Sequence, residues 1–145
     1  MAVIQFPNVL LNPGTFTATV IDNNGNPSTV LDAGTNFEIR CSWQVSPLAA
    51  LLLGGQWEVA AYVESVGAGP EQQIGTPPTR TVVVQLDGRT GPYTATINVP
   101  PNELPNNPAP PRSGVYKLVT VLTHRNFGSV SDVSAVEEGP FLRIG

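Results

Sequence analysis

Ten consecutive residues, Asn36 to Val45, alternate strictly between polar and apolar. Phe37, Ile39, Cys41, Trp43 and Val45 fall on one side, and Asn36, Glu38, Arg40, Ser42 and Gln44 on the other. A β-strand turns successive side chains to opposite faces, whereas a helix would scatter these apolar residues around its circumference. The segment therefore predicts a half-buried strand. The same period recurs. Phe16, Ala18 and Val20 alternate with Thr15, Thr17 and Thr19; Trp57, Val59, Ala61 and Val63 alternate with Gln56, Glu58 and Glu64. Val82, Val84 and Leu86 alternate with Thr81 and Gln85, and Tyr93, Ala95, Ile97 and Val99 with Thr94, Thr96 and Asn98. The stretch from Val115 to His124 is apolar on both faces, as a central strand should be. A last strand is expected over Val133 to Val136 and Phe141 to Ile144, broken at Gly139-Pro140.

Turn residues separate these runs. Asn24-Gly25 tolerates the positive φ of a tight turn, and Asp87-Gly88 and Thr90-Gly91-Pro92 punctuate the next pair of strands. Pro100, Pro101, Pro105, Pro108, Pro110 and Pro111 make residues 100–113 a stiff, proline-rich surface loop that cannot pair in a sheet. No repeat or interdomain linker is visible, and residues 1–14 read as an N-terminal extension of a single domain spanning 1–145. Short strands with no substantial helix between them predict an all-β fold, a two-sheet antiparallel sandwich of about 7–9 strands.

The 145 residues are enough to bury roughly 70% of the unfolded surface without staples. Charged residues are only 12%, against a usual ~25%, so Thr, Ser, Asn, Gln and Gly must build much of the surface. Net charge is -4, Lys117 is the single lysine, and no basic stripe exists, which argues against nucleic acid as a partner. The longest apolar run, Pro47 to Leu53, falls far short of the ~20 residues a membrane span needs. The first twelve residues lack the charge and apolar run of a signal peptide, so a cytoplasmic or particle-associated location is expected.

Three features resemble an immunoglobulin-like domain of the bacterial type. Cys41 lies mid-strand where the first core cysteine of such domains lies, and Trp57 follows on the next strand, about where their packed tryptophan lies. Gly114-Val115-Tyr116-Lys117-Leu118 resembles the stretch that opens their sixth strand, with Leu118 in place of the second cysteine. The run Val20 to Pro27, with its Asn-Gly-Asn-Pro turn, is similar to bacterial repeats of this kind. The resemblance implies a Greek-key strand order, a tyrosine-corner role for Tyr116, and adhesion, assembly or recognition as the class of role.

Little in the chain offers chemistry. Alternation sends Cys41 into the core, where a thiol behaves as a small apolar residue. His124 is the only histidine; catalysis would require it to meet Cys41, or Ser129 or Ser131 with Asp132. Asp22 to Asn26 lacks the ligand spacing of a calcium loop and reads as a hairpin turn. Asp132, Glu137 and Glu138 read as a solvated strand edge rather than a cation site. No catalytic residue, cofactor or metal is expected.

Two features point to a partner. Leu48, Leu51, Leu52 and Leu53 sit in the connection Pro47 to Gly55, where polar residues are usual. These leucines are expected to be buried, either as a helical turn plugging the end of the sandwich or against a partner. The resemblance brings the connections after the second, fourth and sixth strands to one end, so Leu51, Leu52, Arg89, Arg125, Asn126 and Phe127 are expected to form a partner-binding patch. Alternation also turns Ala60, Tyr62, Val119 and Val121 outward on strands that would be neighbours, an expected oligomer interface. The expected function is a non-catalytic structural or protein-binding module, a subunit or surface component of a larger bacterial or phage assembly. A carbohydrate-binding module is the alternative; it needs exposed aromatics, and alternation buries Trp43, Trp57 and Tyr93.

Overall fold

The computed structural model describes residues 1–66, 71–104 and 114–145. The chain is an all-β sandwich. The strands in order are β1 (Ala2–Val3), β2 (Thr15–Ile21), β3 (Val30–Leu31), β4 (Phe37–Gln44), β5 (Gln56–Ser65), β6 (Glu71–Ile74), β7 (Thr81–Gln85), β8 (Tyr93–Val99), β9 (Val115–Asn126) and β10 (Ser129–Ile144). A 3-10 turn (Val9–Leu11) precedes β2, and one short helix, α1 (Pro47–Leu52), links β4 to β5.

One sheet runs β1-β2-β4-β8 and the other β3-β10-β9-β5-β6. The outer edge of β5 serves two partners, β7 along Gln56 to Ala60 and β6 along Ala61 to Glu64. Every pairing is antiparallel, as expected, except the two-residue edge pairing of β3 with β10, which is parallel.

The strict alternation of β4 appears as strict alternation of burial. Phe37, Ile39, Cys41 and Trp43 are buried, while Arg40 and Gln44 are exposed. Facing them across the sandwich are Trp57, Val59, Ala61 and Val63 of β5 and Leu118 and Leu122 of β9. Trp43 stands at the centre. Its ring lies 6.0 Å from Phe16, 6.0 Å from the stacked ring of Tyr93 and 6.3 Å from the edge-on Trp57. Such pairs add to the area each ring buries, so truncating Trp43 to alanine should cost about 3–5 kcal/mol. The indole N–H groups of Trp43 and Trp57 and the hydroxyl of Thr120 are buried without a hydrogen-bond partner, so the polar groups of the core are not all satisfied.

Two expectations need correcting. Residues 1–14 are not an extension. β1 pairs with β2, Gln5 bridges to Ser134 of β10, and Ile4 is fully buried, so the segment closes one side of the sandwich by touching both sheets. The last strand is not broken at Gly139-Pro140. β10 runs through it with a register shift between Glu138 and Phe141, a bulge that lets one long strand bend. Residues 105–113 of the proline-rich loop lie outside the described residues; Leu104, just before them, is buried. Among the described residues no helix is long and apolar enough to cross a membrane.

Candidate functional site

One end of the sandwich collects the connection β4–α1–β5, the β7–β8 connection, the β9–β10 hairpin and the 3-10 turn before β2. The first three are the loops expected to meet, the 3-10 turn joins them unforeseen, and hydrogen bonds tie the end together. Leu86 N donates to Gly55 O at 3.1 Å and Val45 N to Thr90 O at 2.9 Å. Gly55 approaches the hairpin so closely that a Cβ there would sit 2.2 Å from Arg125 O, and its φ of +91° suits glycine.

His124 is the internal brace. It is buried, its Nε2 lies 2.6 Å from Gly54 O, and its Nδ1 lies 2.7 Å from Ser131 Oγ. A carbonyl only accepts, so Nε2 carries the proton and Nδ1 accepts from the Ser131 hydroxyl. Ser131 Oγ in turn accepts from Val133 N at 3.2 Å, and the imidazole packs edge-on against Trp57 at 5.2 Å. Cys41 is buried in the core, where desolvation pushes its thiol up to about 12. Among the described residues no group of three or more His, Cys, Asp or Glu side chains is placed to hold a metal ion. Asp22 accepts from Asn24 N and Asn26 N at 2.9 Å each, which makes its segment a side-chain-capped turn.

α1 begins where Ser46 caps it, its hydroxyl accepting from Ala49 N at 3.2 Å and donating to Leu11 O at 2.7 Å. Pro47 follows in the first helical position, where its missing N–H costs nothing. The helix plugs the end of the sandwich with Ala49 and Ala50, not with its leucines. Leu51 is 78% exposed and Leu52 64%, and Leu48 is exposed as well. Of the two alternatives for these leucines, the plug therefore fails for three of them, which are left free to meet a partner; only Leu53 is partly buried. The small alanines let the helix sit close to the core, and the intervening positions then point outward. Beside them the 3-10 turn exposes Val9 and Leu10, which the sequence reading missed by treating residues 1–14 as an extension.

The hairpin adds Phe127, 97% exposed. Phe127 N donates to Asn126 Oδ1 at 3.0 Å, and Arg125 Nη1 to Gly128 O at 3.1 Å. Arg125 Nε lies 3.2 Å from Glu58 Oε1, an ion pair without hydrogen-bond alignment at that nitrogen. Arg89 is likewise engaged. Its Nε donates to Asp87 Oδ2 at 2.6 Å, and its guanidinium lies 5.4 Å from the Tyr93 ring centre. The Arg89 hydrogen bond holds the Asp87 carboxyl below its usual range, while burial raises the Tyr93 hydroxyl, which donates to Arg89 O at 2.7 Å. Both arginines are thus neutralised in pairs, and the end is mainly an apolar surface.

The second candidate patch is assembled as read. Ala60 pairs across to Val121 and Tyr62 to Val119 on adjacent β5 and β9, and all four are half-buried. Val136 of β10 extends the row from Val121. Glu58, Glu64 and Glu138 flank it, with Lys117 3.3 Å from Glu138. Trp43, Trp57 and Tyr93 are buried, leaving Phe127 and Phe141 as the exposed aromatics among the described residues.

No family model matches the chain, and no curated protein matches it. Among solved structures it is similar to a β-glucosidase from Listeria innocua in complex with glucose, with TM-score 0.48 and 14% identity. The likeness covers 91% of this chain and 16% of that one, so the chain spans about a sixth of the enzyme's length. At that score it carries no argument about activity.

Proposed function

We propose that this chain is a non-catalytic protein-binding module with an immunoglobulin-like sandwich, a subunit or surface component of a larger assembly. The strand order supports the likeness, with β2-β4-β8 in one sheet and β10-β9-β5 in the other. Cys41 and Leu118, which the resemblance sets in place of the two core cysteines of such domains, are both buried, which favours the same reading. The observation that carries the binding role is the exposure of Val9, Leu10, Leu51, Leu52 and Phe127 at one end of the fold. Scattered apolar residues are ordinary on a surface, but five on three segments gathered at one end of the fold favour a contact site.

A photoreactive phenylalanine analogue in place of Phe127 tests this in the cell of origin. The expected result is a discrete covalent adduct with a protein, lost when Leu51 and Leu52 are replaced by aspartate. The same analogue at Asn24, in the hairpin turn after β2, is the control and should give none. Absence of an adduct from position 127 would sink the reading.

A further inference from the structure

β8 closes one side of the first sheet and pairs with β4 alone. In an antiparallel ladder alternate residues exchange both backbone bonds with the partner, and the residues between them turn N–H and C=O to the opposite edge. Asn98 O accepts from Thr76 Oγ1 at 2.8 Å, and Thr76 lies outside the sheet, so Asn98 faces away from β4. Thr94 and Thr96 alternate with the same period and share that direction. Among the described residues no other group bonds to the main chain of Thr94, Thr96 or Asn98. Edge strands are usually guarded by brevity, charge, proline or a bulge. β1 and β3 have two residues each, β6 four and β7 five. β8 has seven, with no charge, no proline and no register shift against β4.

Apolar side chains beside this edge are incompletely covered. Val82 and Val84 of β7, and Leu86 just after it, pack against the core but are only partly buried. Between β7 and β8 lies a groove of about 210 Å³, with Thr81 and Val82 on one wall and Thr96, Ile97 and Asn98 on the other. Backbone donors and acceptors at strand spacing are matched by another extended backbone. The groove adds a second demand, apolar side chains at alternate positions of the added strand. A second copy cannot meet it with its own edge strands. Its β8 has Tyr93, Ala95, Ile97 and Val99 buried in its own core, and its β7 turns Val82 and Val84 the same way. The fitting occupant is an extended segment whose apolar residues are not already committed to a fold.

We propose that the free edge of β8 takes up an extended segment of another protein as an added strand. The main chain of that segment bonds to Thr94, Thr96 and Asn98. Its apolar residues enter the groove over Val82, and its polar residues stand beside Thr94 and Thr96 on the outer face. The edge is a second contact of the module and does not depend on the apolar end that carries Leu51, Leu52 and Phe127.

Amide hydrogen exchange with a labelled peptide tests it. In the free chain the amides of Thr94, Thr96 and Asn98 should exchange fast, and those of Ala95 and Ile97 slowly. A fluorescein-labelled heptapeptide of alternating threonine and valine, with a lysine at each end for solubility, should bind with a saturable rise in anisotropy. Bound, it should slow the amides of Thr94, Thr96 and Asn98 by about tenfold or more. A version with proline at its central positions, which forms no strand, should not bind. Thr96→Pro removes an N–H that points to the free edge and leaves the β4 ladder whole, so it should abolish binding. If thermal unfolding shows that this variant does not fold, Asn98→Pro, near the strand's end, takes its place. Absence of binding up to millimolar peptide overturns the proposal, as does binding that leaves the three amides fast or survives the proline substitution. Amides that are slow in the free chain and become fast on dilution also overturn it, by identifying the occupant as a second copy. Replacing Leu51 and Leu52 by aspartate should leave peptide binding unchanged, so failure here and failure of the position-127 adduct are seen separately.

Discussion

His124 and Ser131 meet across the β9–β10 hairpin at 2.7 Å, with the serine hydroxyl donating to the imidazole and the opposite ring nitrogen donating to Gly54 O. The pair superficially matches a nucleophile and its base. Its second nitrogen is occupied by a backbone carbonyl, and the ring is sealed against Trp57, so the arrangement braces loops. Ser131→Ala removes two hydrogen bonds and leaves the buried His124 Nδ1 without a donor, so it should lower stability by about 2–3 kcal/mol, measured by urea unfolding. A fluorophosphonate probe should leave Ser131 unlabelled; stoichiometric labelling would reverse the non-catalytic reading.

Thr120 makes the opposite prediction. Its hydroxyl lies in the core of β9 with no partner, so it carries the cost of desolvation and no compensating bond. Valine has nearly the same shape. Thr120→Val should raise stability by about 1–2 kcal/mol with the fold unchanged. A loss of stability would mean that the hydroxyl has a partner in solution, a trapped water being the obvious one.

Gly55 fixes how near α1 and its leucines come to the hairpin. A Cβ at this position meets Arg125 O and Asn126 Cα at 2.2 and 3.0 Å, and the backbone φ is +91°. The clash is with main chain, which cannot swing aside. Gly55→Ala should cost about 2–4 kcal/mol by combining left-handed strain with overpacking. The same substitution at Gly88, also at positive φ but with open space around its Cβ, should cost less. Equal losses at both would show that backbone strain alone decides.

The sandwich was legible because period-two alternation is a direct imprint of a face in water and a face in the core. Residues 36–45, 56–64 and 93–99 read correctly side chain by side chain. β6 was not legible. Glu71–Ile74 is short and mostly polar, so it carries almost no hydrophobic signal and pairs through its backbone. Which of the two alternatives the α1 leucines follow was not legible for a related reason. Burial of apolar residues is a tendency of the whole chain, and it fails where small alanines fill the core position and leave their neighbours outside. Val9 and Leu10 carried the same exposed-apolar signal but were hidden by their place near the terminus. The neighbouring of Tyr62 and Val119 required the strand order, which alternation alone does not supply.

Cys41 gives a pH dependence with a definite sign. Desolvation pushes its thiol from 9.0 to about 12, so the native state holds the proton more tightly than the unfolded chain does. For a raised pKa the associated stability is fully present below the unfolded value and is lost as pH rises toward the folded one. The window therefore runs from about pH 9 to about pH 12. Tyr93 shifts the same way and would add to the loss, so the wild type alone is an ambiguous probe. Comparison with Cys41→Ala removes the thiolate and isolates its share. Between about pH 8 and about pH 10.5 the stability advantage of the wild type over Cys41→Ala should shrink by about 2 kcal/mol, at 1.36 kcal/mol per pH unit. Urea unfolding midpoints at the two pH values measure this directly. An advantage that holds constant would place the thiol in contact with solvent, and iodoacetamide would then modify the native protein, where only the unfolded chain is expected to react.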